Sequence, residues 1–140
     1  EANDSLPLTM KQVKSSLEKN NVVICGALRF EPNSTSDSTA AKLAVYINSD
    51  FINLTDVKGL YNKDPKKYKN AKFISSISWK DFEKTAKKIK YRPGQNFVLD
   101  QKASALIRKH KIKTSLIGPD LRNLNGILNE KNFIGTLIDN

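Results

Sequence analysis

Apolar residues recur along the chain with two periods, one typical of helices and one typical of buried strands. Met10, Val13 and Leu17 lie at i, i+3 and i+7, which predicts a helix that begins after Thr9. Short, mostly apolar runs between the helical patterns predict strands. These runs lie at 22–25, 51–54, 114–118 and 134–138.

Further helices are predicted between those strands, because each helical pattern follows a side chain that can cap a helix. Ser36 or Asp37 precedes a helix over 38–48, and Ser78, with Asp81 three residues on, precedes an amphipathic helix. The predicted caps further along are Asp100 and Asp120. Strands that alternate with helices indicate an α/β fold with a mostly parallel sheet covered on both faces.

One loop is a candidate site because it follows a predicted strand directly. The run 51–54 leads into TDVKGLYNKDP at 55–65, in which Gly, Asn and Asp-Pro break regular structure. In an open α/β sheet, ligands bind at the carboxyl ends of the strands. Thr55, Tyr61 and Asp64 offer a hydroxyl, a ring and a carboxylate, which suit an adenosine. A plain turn with a capping Asp explains the same residues.

A second candidate site lies at the start of the helix predicted over 38–48, which follows a turn. Pro32 and Asn33 mark the turn. The free N–H groups and positive dipole end of a helix start favour an anion. Hydroxyl donors beside them are Ser34, Thr35 and Ser36. The alternative is an ordinary helix cap in a loop rich in Ser and Thr.

The composition limits the class of protein. A chain of 140 residues with 39% hydrophobic and 27% charged side chains suits one folded domain and argues against disorder. Its apolar runs are shorter than the roughly 18–20 residues that cross a membrane, so we expect no membrane partner. The single cysteine, Cys25, lies in an apolar run. We interpret it as a small buried hydrophobic side chain in a reducing, cytoplasmic setting.

Positive charge is concentrated in one part of the chain. The net charge is +10, and about half of the basic residues lie at 58–92, where three acidic residues oppose them. One alternative is therefore a basic α/β module that binds RNA or DNA through this face. Against it, Tyr61, Tyr68 and Tyr91 are too scattered to form a platform for base stacking. We expect no specific nucleic-acid partner.

Two segments resemble motifs of the amino-acid kinase family. The loop at 55–65 is similar to the family's T-x-V-D-G-V-Y-x-x-D-P loop. The segment at 32–37 is similar to its P-x-x-T-T-D segment, with Ser36 in place of the second threonine. The ending, with GTLI at 135–138, and the rest of the chain are similar to the carboxyl-terminal part of the family's uridylate (UMP) kinases.

The resemblance implies a fold, an activity and a set of contacts. The fold would be the three-layer αβα sandwich of the amino-acid kinases, and the activity would be transfer of the γ-phosphoryl group of ATP, with Mg²⁺, to UMP. The protein would be a cytoplasmic homo-oligomer, a hexamer by the same resemblance. Thr55, Tyr61 and Asp64 would bind ATP. The residues implied to contact UMP are Pro32, Asn33, Ser34, Thr35, Ser36 and Asp37.

The chain also departs from the family's pattern. Ala27 follows Gly26 where the family usually has two glycines, and Lys58 stands where an acidic residue is common. The strand and Gly-rich phosphate loop that begin the family's domain have no counterpart, so we assign no catalytic residue and no metal ligand. We interpret 1–140 as a single domain, the carboxyl-terminal nucleotide-binding part of an amino-acid kinase domain. The remaining alternative is an inactive or regulatory kinase-like fragment.

Overall fold

The computed structural model describes residues 1–29, 32, 34–88 and 99–140. Helices and strands follow one another through that part of the chain. The helices are α1 (Met10–Leu17), α2 (Ser36–Ile47), α3 (Trp79–Lys88), α4 (Gln101–His110) and α5 (Leu121–Leu128). The strands are β1 (Phe51–Leu54), β2 (Ser76–Ser78), β3 (Thr114–Ile117) and β4 (Gly135–Asp139).

These strands form one four-stranded sheet in the order β1-β3-β4-β2. β1 is parallel to β3 and β2 is parallel to β4, whereas β3 and β4 are antiparallel. Two of the three strand pairs are therefore parallel, which confirms the predicted mostly parallel sheet. The antiparallel pair was not predicted, because alternation of strands and helices does not by itself fix the direction of each strand.

The core lies between the sheet and the helices α2, α3 and α4, of which α4 packs against both α2 and α3. Among its fully buried side chains are Phe82 of α3, Ile107 of α4, Leu116 of β3 and Ile138 of β4. All four residues of β3 are buried, as expected for a strand covered on both faces. None of the helices in the described part of the chain is long and apolar enough to cross a membrane.

Side chains cap most helices as the sequence predicts. The Thr9 hydroxyl accepts a hydrogen bond from the N–H of Gln12 at 3.2 Å and caps α1. The Asp100 carboxylate accepts one from the N–H of Ala103 at 2.8 Å and caps α4. The other confirmed caps are Ser78 at the start of α3 and Asp120 at the start of α5.

The start of α2 differs from the prediction. Thr35 caps the helix, and neither Ser36 nor Asp37 does. Thr35 Oγ1 accepts a hydrogen bond from the N–H of Ser38 at 3.1 Å, and Ser38 Oγ accepts one from the N–H of Thr35 at 3.0 Å. This reciprocal pair is a capping box. The sequence did not signal it, because Ser38 occupies the position where Glu or Gln would normally mark such a box.

The strand predicted at 22–25 is wrong. Val22 makes one isolated parallel bridge to Ala2, and the side chain of Asn3 then takes the place of a neighbouring strand. Asn3 Oδ1 accepts the N–H of Ile24 at 2.6 Å, and Asn3 Nδ2 donates to the Ile24 carbonyl at 3.0 Å. A strand needs backbone partners along its length, and an apolar run does not supply them.

Two smaller predictions also differ from the structure. Cys25 is half-buried rather than buried. β2 was not predicted, because it has three residues of which Ile77 alone is apolar. Three features of the sequence interpretation lie outside the described residues: Asn33, Tyr91 and the end of the basic stretch at 89–92.

Glu83 connects α3 with α4. Its side chain is 9% exposed and lies 2.9 Å from Lys87 Nζ, and Arg108 of α4 forms a second salt bridge with it. Hydrogen bonds from Lys87 and Arg108 hold the pKa of Glu83 below its usual range. The Arg108–Glu83 salt bridge therefore joins α4 to α3, whereas the Lys87–Glu83 pair lies within α3.

Candidate functional site

A pocket of about 550 Å³ lies at the carboxyl ends of β1 and β3, which run side by side in the same direction. The loop that follows β1 supplies one wall, and the turn between β3 and α5 supplies another. The lining includes Asp56, Lys58, Tyr61, Lys66, Gly118 and Asp120. This is the edge at which open α/β sheets bind ligands, and it is where the sequence predicted the first site.

The loop after β1 is fastened to the sheet by Thr136 of β4. The Thr136 hydroxyl accepts the N–H of Leu60 at 2.8 Å and donates to the carbonyl of Ile74 at 2.5 Å. Gly59 permits this approach, because a Cβ at Gly59 would lie 2.7 Å from the Thr136 hydroxyl oxygen. Sequence reasoning missed Thr136. A polar residue in an otherwise apolar final strand was the signal available.

Tyr61 is the predicted ATP contact that lines the pocket. Its ring meets the ring of Phe73 edge-on, with centroids 5.4 Å apart and an interplanar angle of 63°. The backbones of the two residues also form an isolated antiparallel bridge. Phe73 therefore restrains the position of the Tyr61 ring. A restrained aromatic ring at a pocket wall is suited to packing against a nucleobase.

The other two predicted ATP contacts have local roles in this structure. The Thr55 N–H donates to the carbonyl of Ile117 at 2.8 Å and extends the pairing of β1 with β3. Asp64 Oδ1 accepts the N–H of Lys66 at 2.9 Å, and the Asp64 carbonyl accepts the N–H of Tyr68 at 3.0 Å. Asp64 thus caps a turn, as the alternative interpretation of this loop expected. Neither residue is among those that line the pocket.

Asp56 and Lys66 form an ion pair within the pocket wall. Both side chains are about half exposed. The hydrogen bond from Lys66 holds the pKa of Asp56 below its usual range. The sequence interpretation treated Lys66 only as part of a basic loop and did not single out Asp56. The salt bridge therefore offsets the charge of Lys66, and the other charged residues that line the pocket are Lys58 and Asp120.

The second predicted site lies at the start of α2. Pro32 is exposed in a turn, and Ser36 is exposed in the first turn of the helix. Ser34 is half-buried, and its hydroxyl lies 3.0 Å from that of Ser38. Thr35 donates its hydroxyl hydrogen to the carboxylate of Asp100 at the start of α4. The sequence identified Asp100 as a helix cap and not as a neighbour of this site.

Asp37 lies beside Asp100 as well. Burial, and then the charge of Asp100, raise the pKa of Asp37, while a hydrogen bond from the Asp100 N–H works in the opposite direction. Asp37 is half-buried. The start of α2 therefore presents a carboxylate whose charged form is disfavoured and a hydroxyl that is already held by a neighbouring helix.

The connections of the chain bring the two candidate sites to the same edge of the sheet. α2 packs on β1 and joins it through a short connection, so the start of α2 lies towards the end of β1. α4 packs against α2 and joins β3 through a short connection, so Asp100 lies towards the end of β3. Because β1 and β3 are parallel, both helix starts face the edge that carries the pocket.

Comparison with known proteins assigns the chain to a family. The model of the amino acid kinase family matches residues 1–118. The chain belongs to the amino-acid kinase family. Membership of this family and similarity to solved UMP kinases agree with the predicted αβα fold. Within that fold, the sheet of this chain is mixed.

Several amino-acid kinases resemble this chain over nearly its whole length. Uridylate kinase from Thermoplasma volcanium is 30% identical over 139 residues, which are 99% of this chain and 60% of that protein. Uridylate kinase from Methanococcus aeolicus is 32% identical over 135 residues, 96% of this chain and 59% of that protein. The chain therefore spans about 60% of the length of these curated relatives.

Solved structures give the same result. Uridylate kinase from Archaeoglobus fulgidus superposes with a TM-score of 0.85 and 30% identity over 98% of this chain and 61% of that one. UMP kinase from Bacillus anthracis superposes with a TM-score of 0.75 and 25% identity, over 95% of this chain and 52% of that one. In both cases a large part of the known kinase has no counterpart among these 140 residues.

Proposed function

We propose that this chain is the carboxyl-terminal, nucleotide-binding part of a UMP kinase, which transfers the γ-phosphoryl group of ATP to UMP and forms ADP and UDP. The observation that carries the proposal is the position of the two candidate sites at one edge of the sheet, in an amino-acid kinase whose similar proteins are uridylate kinases. Transfer requires donor and acceptor nucleotides to lie next to each other.

ATP would occupy the pocket after β1. The Tyr61 ring would pack against the adenine, and Lys58 would attract the phosphates, with Lys66 doing so when they replace Asp56 as its partner. Asp64 would accept a hydrogen bond from the ribose, and Thr55 would support the same part of the nucleotide. For this the Asp64 carboxylate must serve the ligand as well as its turn, through Oδ2, which lies 3.7 Å from Lys67 Nζ and keeps lone pairs that can accept.

UMP would bind at the start of α2. Free N–H groups in the first turn of the helix suit its phosphate, and the side chains around them suit its uridine. The proposed contacts are Pro32, Asn33, Ser34, Thr35, Ser36 and Asp37. The raised pKa of Asp37 supports a functional role, because perturbed carboxyl groups concentrate at binding and catalytic sites.

Mg²⁺ would enter as part of the MgATP substrate. The described residues contain no group of three or more His, Cys, Asp or Glu side chains that could hold a metal ion. The carboxylates of the ATP pocket, Asp56 and Asp120, are both engaged in salt bridges. Mg²⁺ commonly uses phosphate oxygens and water with only one or two carboxylates, so this residue set is compatible with a metal that arrives on the nucleotide.

The remaining part of the fold would supply the Gly-rich phosphate loop and the catalytic groups. The exposed side chains near the amino-terminal end of the chain support this. Leu6, Leu8, Val22 and Ile24 are each more than half exposed, and they belong to two segments that the Ala2–Val22 bridge and the contacts of Asn3 with Ile24 bring together. We propose that the missing amino-terminal strand and loop cover them. A cytoplasmic location and a homo-oligomer, a hexamer, are part of the same proposal.

The proposal is tested by measuring ADP formation from ATP with a set of acceptors. The chain alone is expected to transfer no phosphoryl group, because the donors that would neutralise the transferring phosphate are missing. The part of the Archaeoglobus fulgidus uridylate kinase that this chain does not match, which we propose is its amino-terminal part, should restore transfer when it is fused ahead of Glu1. UMP should be the preferred acceptor over CMP, acetylglutamate and isopentenyl phosphate.

Two results would contradict the proposal. One is UMP-dependent ADP formation by the 140-residue chain alone, above a control without protein, which would show that the phosphate-neutralising groups do not lie in another part of the fold. The other is a fusion protein that unfolds cooperatively, and so is folded, but transfers phosphate to none of the acceptors or prefers an acceptor other than UMP. The parent Archaeoglobus fulgidus enzyme, assayed in parallel, provides the positive control.

A further inference from the structure

Asp100 contacts both the residue that caps α2 and the acidic residue next to it. Its Oδ1 accepts the N–H of Ala103 at 2.8 Å and caps α4. Its Oδ2 accepts the hydroxyl hydrogen of Thr35, which lies 65 residues earlier in the chain. Its own N–H donates to Asp37. Asp100 therefore touches two of the proposed UMP contacts from a different helix.

These contacts determine what the Thr35 hydroxyl can offer a ligand. A hydroxyl has one hydrogen to donate and two lone pairs that accept. Thr35 gives its hydrogen to Asp100, and one lone pair accepts the N–H of Ser38 at 3.1 Å. What remains is a hydrogen-bond acceptor. The Asp37 carboxylate is an acceptor as well, so this part of the site suits a group that donates hydrogen bonds.

We propose that Asp100 is a positioning residue for the acceptor nucleotide. It fixes the Thr35 hydroxyl as an acceptor, directed at an N–H or O–H donor of the nucleoside, and it keeps the starts of α2 and α4 together. The inference rests on the proposed function, because it assigns the start of α2 to UMP. It adds Asp100, which lies outside the motifs at 32–37 and 55–65. It also assigns Thr35 the role of a hydrogen-bond acceptor.

The decisive variant is Asp100→Asn. Asn caps helices about as well as Asp, so the start of α4 should be kept and the unfolding temperature should change little. The amide group that replaces Oδ2 donates instead of accepting, which reverses the polarity of the contact with Thr35. UMP affinity should fall by up to roughly tenfold, as for the loss of one neutral hydrogen bond between Thr35 and the nucleoside. ATP affinity should not change.

A double-mutant cycle separates positioning from general stability. Thr35→Val should lower UMP affinity to a similar extent, and the combination with Asp100→Asn should lower it little further, because both variants remove the same contact. Thr9→Ala provides the matched control, since it removes the cap of α1. That variant should lower stability and leave the affinities for UMP and ATP unchanged.

Nuclear magnetic resonance titrations of the 140-residue chain can measure these affinities even when binding is weak. Unchanged UMP affinity in Asp100→Asn, or an equal loss for UMP and ATP, would overturn the inference while leaving the proposed function in place. Additive effects in the double variant would also overturn it. Failure of the wild-type chain to bind UMP at any concentration would contradict the proposed function itself, and the inference with it.

Discussion

The hydroxyl of Thr35 donates a hydrogen bond to the carboxylate of Asp100, and this contact joins the starts of α2 and α4. Each residue caps its own helix while contacting the other. Two helix starts that face the same edge of the sheet are thereby held together beside a half-buried acidic residue, Asp37. The arrangement has consequences for stability and for ligand binding that can be measured separately.

Asp37 should destabilise the folded chain at neutral pH. Its pKa is raised by burial and by the charge of Asp100, so between the ordinary aspartate pKa of about 3.9 and the raised value the folded state binds more protons than the unfolded state. The contribution of Asp37 to the free energy of unfolding therefore becomes more favourable as pH falls through this interval.

Asp37→Asn should accordingly raise the free energy of unfolding at pH 7 by about a few tenths of a kcal/mol. It should also remove that part of the pH dependence, as measured by urea denaturation at several pH values. Asp4→Asn, at an exposed position, serves as the control. A lower stability of Asp37→Asn at neutral pH, together with the loss of a pH dependence of the opposite sign, would show that the local environment of Asp37 favours its charged form.

Gly59→Ala should destabilise the protein by about 1–3 kcal/mol, because the added Cβ overlaps the Thr136 hydroxyl that fastens the loop. Gly26→Ala is the matched control. A Cβ at Gly26 meets no atom within 4 Å, so its effect should stay within about 0.5 kcal/mol. Chemical denaturation measures both. Equal effects of the two substitutions would mean that the loop is not held against β4.

Asp64 and Asp37 should affect different nucleotides. In the protein with the missing part of the fold restored, Asp64→Ala should weaken ATP binding about tenfold to a hundredfold and leave UMP binding nearly unchanged. Asp37→Ala should do the reverse. Asp64→Asn is a useful comparison, because Asn can still cap the turn at Lys66. Equal losses for both nucleotides would indicate unfolding, and no loss of ATP binding in Asp64→Ala would mean that Asp64 serves only the turn.

The positive charge of the chain should give only weak, non-specific binding to nucleic acid. Any affinity for a DNA or RNA duplex should fall steeply with salt, with a slope set by the number of phosphates neutralised. Fluorescence anisotropy with duplexes of unrelated sequence measures this. A tight, sequence-dependent complex at physiological salt would make nucleic-acid binding the main function and would contradict the kinase proposal.

Local features of this fold could be predicted from sequence, because their causes are local. Thr9, Ser78, Asp100 and Asp120 cap the helices that they were predicted to cap. Such caps depend on hydrogen bonds across two or three residues. The run 51–54 forms β1 as predicted, since its partner β3 is present in the same chain.

Features that depend on distant residues could not be predicted. The run 22–25 is as apolar as β1. In the described structure, however, its backbone pairs only with Ala2 and with the side chain of Asn3. The contact between Thr35 and Asp100 joins residues 65 positions apart. Pairing of Asp56 with Lys66, and use of Thr136 as an anchor, likewise depend on how the loop folds back on the sheet.

The central claim is that two nucleotides bind at two separate places on one edge of the sheet. Amide chemical-shift mapping of the isotope-labelled 140-residue chain, titrated to millimolar nucleotide, tests it directly. MgATP should shift resonances of 56–66 and 118–123, and UMP should shift those of 34–38 and 100–104. Perturbation of the same residues by both nucleotides, or of neither region by either nucleotide, would contradict the claim.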